Sequence, residues 1–216
     1  MPKKLTLLFL ICFPLFSRAQ LKLANVELEM GSSVFMNSSV RKVFPAGVNL
    51  FLGPKWALGA SENLFIKASL GVKWYMHNLP DGYLEHLASI RIGPEFQYKA
   101  FLIGNVAFLP TFKIDFAWCT NFDTEGGIAQ VFNDEPAYVL SERYLRGWGI
   151  GKALGIKAEL NRRWFLRFTY EMLNPRFKVL NRDLQGDLGK DYIDRQHKSL
   201  ELNTLNLSIG FNFNTI

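Results

Sequence analysis

Residues 64–76 read LFIKASLGVKWYM, and the placing of the two lysines in this apolar run restricts the fold more than any other feature. Leu64, Ile66, Ala68, Leu70, Val72, Trp74 and Met76 share one parity. Phe65, Lys67, Ser69, Gly71, Lys73 and Tyr75 share the other. A strand sends successive side chains to opposite faces, so the pattern is a strand with one greasy and one polar face. A helix would scatter the two lysines among the apolar residues.

The same period recurs along the chain. Val26, Leu28 and Met30 oppose Asn25, Glu27 and Glu29; Val48, Leu50, Leu52, Trp56 and Leu58 oppose Asn49, Gly53 and Lys55. Ile90, Ile92 and Phe96 oppose Ser89, Arg91, Glu95 and Gln97, and Phe108, Phe112, Ile114, Phe116 and Trp118 oppose Thr111, Lys113 and Asp115. Further runs lie near 146–160, 164–172 and 205–213. Helix-period patterns are scarce. The reading is a single all-β domain of eight strands, each about 10 residues or longer. Short connections at 60–63, 98–101 and 160–164 alternate with longer ones at 31–43, 120–143 and 174–198 and a modest one at 78–82. Strict alternation of turns and loops predicts an antiparallel up-and-down barrel.

Alternation alone does not say which face is outside. A soluble ligand-carrying barrel alternates too, with its apolar face inward. Bulk argues otherwise, because an eight-stranded interior is only just wide enough for side chains to fill. The apolar parity carries Ile66, Leu70, Trp74, Phe108, Phe112, Phe116, Trp164, Phe168, Ile209 and Phe211, which we expect as a lipid-facing belt. The polar parity carries Glu27, Glu29, Glu95, Asp115, Glu159 and Glu171 against Lys55, Lys67, Lys73, Arg91, Lys113, Lys157 and Arg167. Near balance of six acids and seven bases suits a closed interior, where an unpaired charge is costly. We therefore expect a transmembrane β-barrel with a charge-paired, largely plugged lumen. Trp56, Trp74, Trp118, Trp148 and Trp164 fall toward strand ends, as interfacial girdles do. Keeping Trp148, Ile150 and Leu154 outward also turns Lys152 outward, which a bulge near Gly151 or a snorkelling lysine would explain. Pro54, Pro94 and Pro110 each forfeit a ladder donor inside an expected strand.

The first 19 residues have the layout of a secretory signal: Lys3 and Lys4, an apolar stretch from Leu5 to Phe16, and small residues at Ser17 and Ala19. The expected division is a signal peptide at 1–19 and a barrel domain at 20–216. Cleavage would remove Lys3, Lys4 and Arg18 and no acid, lowering the net charge from +6 and taking away the case for a nucleic-acid partner. It would also remove Cys12 and leave Cys119 alone, so no internal disulfide is expected.

Reactive chemistry is sparse. The histidines are His77, His86 and His197. His77 and His86 flank one connection and could approach across it; with Ser141 or Ser199 they offer the nearest thing to a hydrolytic rim site. Asp183, Asp187, Asp191 and Asp194 share a loop, but Arg182, Lys190 and Arg195 dilute the charge and the spacing fits no calcium loop. No phosphate loop, dinucleotide fingerprint or CxxC pair is present. We expect no catalytic residue, no metal and no cofactor.

Taken together, the leader, the alternation, the loop asymmetry and the last strand LNLSIGFNF make the chain resemble small outer-membrane β-barrel proteins. These are the OmpA/OmpX-like eight-stranded barrels and the porin-family outer membrane β-barrel domains. The resemblance spans residues 20–216. Such barrels usually end on an aromatic residue, whereas Asn214, Thr215 and Ile216 follow Phe213 here. The resemblance implies export to a Gram-negative outer membrane, contact with its lipids, and a structural or loop-mediated role in the cell envelope. Loops 120–143 and 174–198 are the expected places for a protein partner. A narrow solute channel and a lipid-modifying enzyme are the alternatives.

Overall fold

A computed structural model describes residues 21–59, 63–78, 84–123, 143–161, 163–181 and 194–214. Eight long strands form the wall: β1 (Leu21–Phe35), β2 (Gly47–Leu58), β3 (Leu64–Asn78), β4 (Leu84–Tyr98), β6 (Val106–Asp123), β7 (Arg143–Leu160), β8 (Trp164–Leu173) and β11 (Thr204–Asn214). Each is antiparallel to the next, and β11 pairs with β1, which closes the sheet. One row of paired residues runs Asn25, Lys55, Lys67, Glu95, Lys113, Ala153, Glu171, Thr204. It meets β1 again at Phe35, ten residues beyond its start at Asn25. That stagger is what tilts the strands about 35–45° from the barrel axis. The antiparallel eight-stranded barrel expected from the alternation is the fold that forms.

The long-loop end departs from expectation. Residues 31–43 read as a connection, yet β1 continues to Phe35 because Ser33 and Phe35 keep the inward parity. The chain then forms a short helix, α1 (Ser38–Val43), capped by Asn37, whose side chain accepts from the Ser39 amide at 3.0 Å. Residues 174–198 also read as a connection, yet β9 (Arg176–Asn181) and β10 (Asp194–Ser199) pair with each other there. β9 pairs as well with the first residues of β7, so the wall extends past the ring on that side. The break between β8 and β9 falls at Asn174–Pro175, since proline has no amide to donate to a ladder. The Leu202 and Leu200 amides donate to the Leu173 and Pro175 carbonyls at 2.8 and 3.3 Å and carry the pairing across the break. A three-residue strand, β5 (Phe101–Ile103), folds back on β6. The leader, the Asp183–Asp191 stretch and the centre of the 120–143 loop lie outside the described residues.

Two of the three prolines mark gaps in the wall. β2–β3 pairing skips Gly53 and Pro54, and β4–β6 pairing skips Gly93 and Pro94, although both prolines stay in register with the preceding strand. Ala68 sits between them, and the small side chain leaves an apolar groove of about 540 Å³ on the outer wall, bounded by Leu52, Trp56, Ile66 and Leu70. Pro110 lies in register with Ile156, just beyond the last β4–β6 pair. No bulge occurs at Gly151: it faces Asp115, and its neighbours continue in step. Lys152 is simply exposed on the outer face, opposite Ile114 and Met172.

Inside, three aromatic rings each face a glycine directly across the sheet: Phe51 opposite Gly71, Tyr75 opposite Gly47, and Phe165 against Gly210. The missing side chain gives the ring room to lie over the neighbouring backbone, a device that holds register in curved sheets. A Cβ on Gly210 would run into the Phe165 ring and lie 2.6 Å from the Leu28 carbonyl oxygen. Gly210→Val is expected to lower stability by at least the roughly 1–3 kcal/mol typical of overpacking. Urea unfolding in detergent micelles, with Leu70→Ala on the outer face as control, reads the difference.

Candidate functional site

The thirteen charged residues expected inside all lie on the inward parity, in two layers. The lower layer holds Glu27, Glu29, Glu95 and Glu159 with Lys55, Lys67, Lys157 and Arg167. Glu27 is its centre. It pairs with Lys55 at 2.8 Å, Lys67 at 3.1 Å, Arg167 at 3.8 Å, and Lys157. Arg167 donates to Glu29 at 2.7 Å and to both oxygens of Glu95 at 2.9 and 2.5 Å. Glu159, whose side chain is 17% exposed, pairs with Lys55 at 2.9 Å and Lys157 at 2.7 Å and is the layer's contact with the short-turn end.

The upper layer holds Lys73, Arg91, Lys113, Asp115 and Glu171. Arg91 donates to Asp115 from Nη2 at 2.7 Å and from Nε at 3.2 Å, and to Glu171 at 2.8 Å. Gly151 makes this possible: a Cβ there would overlap Arg91 Nη2 and Asp115 Oδ1. Lys73 pairs with Glu171 at 3.0 Å and donates to Thr204 at 3.1 Å and Asn206 at 2.8 Å. Lys113 pairs with Asp115 at 3.0 Å and stands 3.7 Å over the Phe51 ring. Lys157 sits likewise over Phe165 at 4.1 Å.

Above the charges the interior turns apolar. Phe35, Tyr75, Leu87, Ala117, Cys119, Leu173, Phe177 and Leu202 pack with Val40 of α1 and its C-cap residue Phe44 across the long-loop end. The Phe35 and Tyr75 rings lie 4.2 Å apart. Below this cluster the spaces between side chains are about 20 and 10 Å³, room for a water molecule or so.

The sequence reading missed the neutral members of the network. Gln97 donates to Glu95 at 2.7 Å and to Glu27 at 3.2 Å. Asn206 accepts from Ser33 at 2.6 Å, and Asn49 donates to Ser33 at 3.0 Å. Their inward parity was the available signal. The apolar cap was missed because the inward wall residues Phe35, Tyr75, Leu87, Ala117, Cys119 and Leu173 are joined there by α1, β9 and the 200–203 segment, which the alternation did not mark.

The ten belt residues lie on the outer face. Leu70, Trp74, Phe112, Phe116, Trp164, Phe168 and Ile209 are exposed; Ile66, Phe108 and Phe211 are half-buried against neighbours. The belt continues through Leu50, Ile92, Ile150, Leu154, Leu166 and Leu207, so the apolar surface goes right round the barrel. Trp118 and Trp148 are in register on adjacent strands, toward the rim opposite Trp56 and Trp164. His77 and His86 do not approach as a pair. They fall on opposite parities, because β3 and β4 pair Met76 with His86 and His77 with Glu85. His86 instead accepts at Nδ1 from the Trp74 indole at 3.1 Å and packs on Phe122, while His77 meets Phe44 edge-on. No group of three or more potential metal ligands occurs among the described residues.

No family model matches the chain, and no curated protein matches it. Solved structures do. Neisserial surface protein A is 13% identical, with a TM-score of 0.48 over 87% of this chain and 96% of its own. A major outer membrane protein of Thermus thermophilus is 14% identical, with a TM-score of 0.48 over 88% and 99%. The outer membrane protein OprG of Pseudomonas aeruginosa is 11% identical, with a TM-score of 0.46 over 89% and 98%. The fold of this chain is a closed, eight-stranded antiparallel β-barrel.

The network makes a sharp prediction. Among the described residues Arg167 is the only base in ion-pair contact with Glu95, so Arg167→Met would leave that carboxylate, 1% exposed, without its direct partner. Breaking a buried pair this way costs about 3–5 kcal/mol. The urea midpoint of Arg167→Met should fall accordingly, and a second change, Glu95→Gln, should recover part of the loss.

Proposed function

We propose that this protein is an integral outer-membrane barrel of a Gram-negative envelope, delivered by secretory export. Its lumen is closed by its own charge pairs, and it acts as a structural or loop-mediated interaction protein. The observation that carries the reading is the inversion of faces. Large apolar side chains ring the outside, while lysines, arginines and carboxylates are sealed within. A bilayer rewards that arrangement and water penalises it. A closed sheet also pairs the ring's backbone groups where no water could satisfy them, the gaps at Gly53–Pro54 and Gly93–Pro94 apart.

A structural role is favoured over a channel by what fills the interior. Ion pairs span the lumen, the two interior cavities of about 20 and 10 Å³ are water-sized, and α1 contributes to an apolar cap at the long-loop end. Recognition would then belong to the loops at 120–143 and 174–198 and to lipid along the belt. A rim hydrolase loses its best geometry with His77 and His86 on opposite faces.

Single-cysteine labelling tests orientation directly. With Cys119→Ala as background, cysteines at Ile66 and Leu70 are expected to react with lipid-phase reagents. Those at Lys67 and Ser69 should be reached by neither lipid-phase nor bulk aqueous reagents. Labelling of 67 and 69 from bulk water, with 66 and 70 shielded, would make the chain a soluble carrier. Planar-bilayer recording is expected to show no stable conductance; a steady open level would favour the channel reading.

Lys152 gives an independent check. A lysine on the lipid face costs about 2–4 kcal/mol at mid-bilayer and little near an interface. Lys152→Leu should therefore leave stability unchanged or raise it in lipid vesicles. A marked loss of stability there would mean that the outer face meets water or a charged partner.

A further inference from the structure

The two charge layers do not balance alike. In the lower layer, Glu27, Glu29, Glu95 and Glu159 match Lys55, Lys67, Lys157 and Arg167 one for one. In the upper layer, Asp115 and Glu171 face Lys73, Arg91 and Lys113, leaving one positive charge over. The upper five are all buried, at 1–8% exposure, with the apolar cap above them and the neutral lower layer beneath.

The surplus can be traced to one residue. Arg91 reaches both upper carboxylates, and Lys73 has Glu171, Thr204 and Asn206 as acceptors, enough for its three protons. Lys113 has one carboxylate oxygen, shared through Asp115 with Arg91, and the face of Phe51. The cavity of about 20 Å³ lies here, between the layers. Lys113, Lys73 and Arg167 line it together with the neutral donors Thr111, Asn206 and Ser208. Glu29, Glu95 and Glu171 line it too; both oxygens of Glu95 and of Glu171, and Oε2 of Glu29, are engaged by Arg167, Gln97, Arg91 and Lys73. Arg167 Nε is buried and has no acceptor among the described residues. Two cationic groups with protons to give thus border a space the size of one small body.

We propose that this cavity binds a monovalent inorganic anion of halide size, held by Lys113 and Arg167. The ion neutralises the upper layer and accepts protons that the protein leaves without partners. A water molecule could take the protons but not the charge, and a sulfate is too large for the space.

The test uses the full mature chain, folded into detergent micelles at constant ionic strength in chloride, bromide or gluconate. The unfolding midpoint in urea is expected to rise saturably with chloride or bromide and not with gluconate. Crystals grown in bromide are expected to show an anomalous peak within hydrogen-bonding distance of Lys113 Nζ. Lys113→Met leaves Asp115 paired with Arg91 and the interior at six acids to six bases. It should fold, lose the halide response, and in gluconate match or exceed the midpoint of the unaltered protein. Three results would overturn the proposal: a midpoint that follows ionic strength alone, a cavity holding only water in bromide crystals, or a halide response that survives in Lys113→Met. Should Lys113→Met fail to fold, the bromide peak in the unaltered protein decides.

Discussion

A sheet closed on itself leaves each side chain two destinations, and eight strands enclose too little room for the inner one to be filled freely. Everything else in this barrel follows from that shortage of space. Charged side chains inside must meet a partner within reach, since isolated burial costs several kcal/mol. Rings inside must lie over something small, which is why Phe51, Tyr75 and Phe165 face glycines. Bulk that fits neither solution goes outward, and the result is a continuous apolar surface.

The inner pairs are better understood as a lock on register than as a source of stability. Desolvation consumes much of what a buried ion pair gains, so its net contribution is small. Mismatch is a different matter. A one-residue slip of any strand would send its whole inner set to the outer face. Glu27 alone ties β1 to β2, β3, β7 and β8, so a slip of β1 would leave four bases short of their common partner. The ten-residue stagger of the closed ring is thus the one at which acids and bases coincide.

How much of this could be read in advance depends on the range of the interaction. Strand parity is local, so Lys67 and Lys73 declare their face within thirteen residues, and the inward set and the outer belt could both be named. The pairs could not. Lys157 meets Glu27 across 130 positions and Arg167 meets Glu29 across 138, and only the stagger brings them level. The division into two layers was hidden for the same reason. The cap at the long-loop end was illegible for another: α1, Phe177 and Leu202 are fixed by what they pack against, not by a period in the chain. Gly151 shows the two scales in conflict. Its surroundings suggested a bulge, yet it stays in register, and it is glycine because a side chain there would displace the Arg91–Asp115 pair.

The arrangement also bears on how such a barrel could be used. A passage for ions needs charges that can let go of one another at small cost, or a wetted path beside them. In the lower layer Glu27 and Arg167 each hold several partners, so freeing one contact leaves the others in place and opens little. In the upper layer the apolar cap would have to lift before water arrived. A lumen so occupied with its own side chains contributes rigidity, and the strand ends keep their positions. The extension of the wall through β7, β9 and β10 fits the same logic. It carries the pairing beyond the ring toward the 182–193 and 124–142 segments, so that the chain leaves the barrel from a hydrogen-bonded edge instead of from a free end.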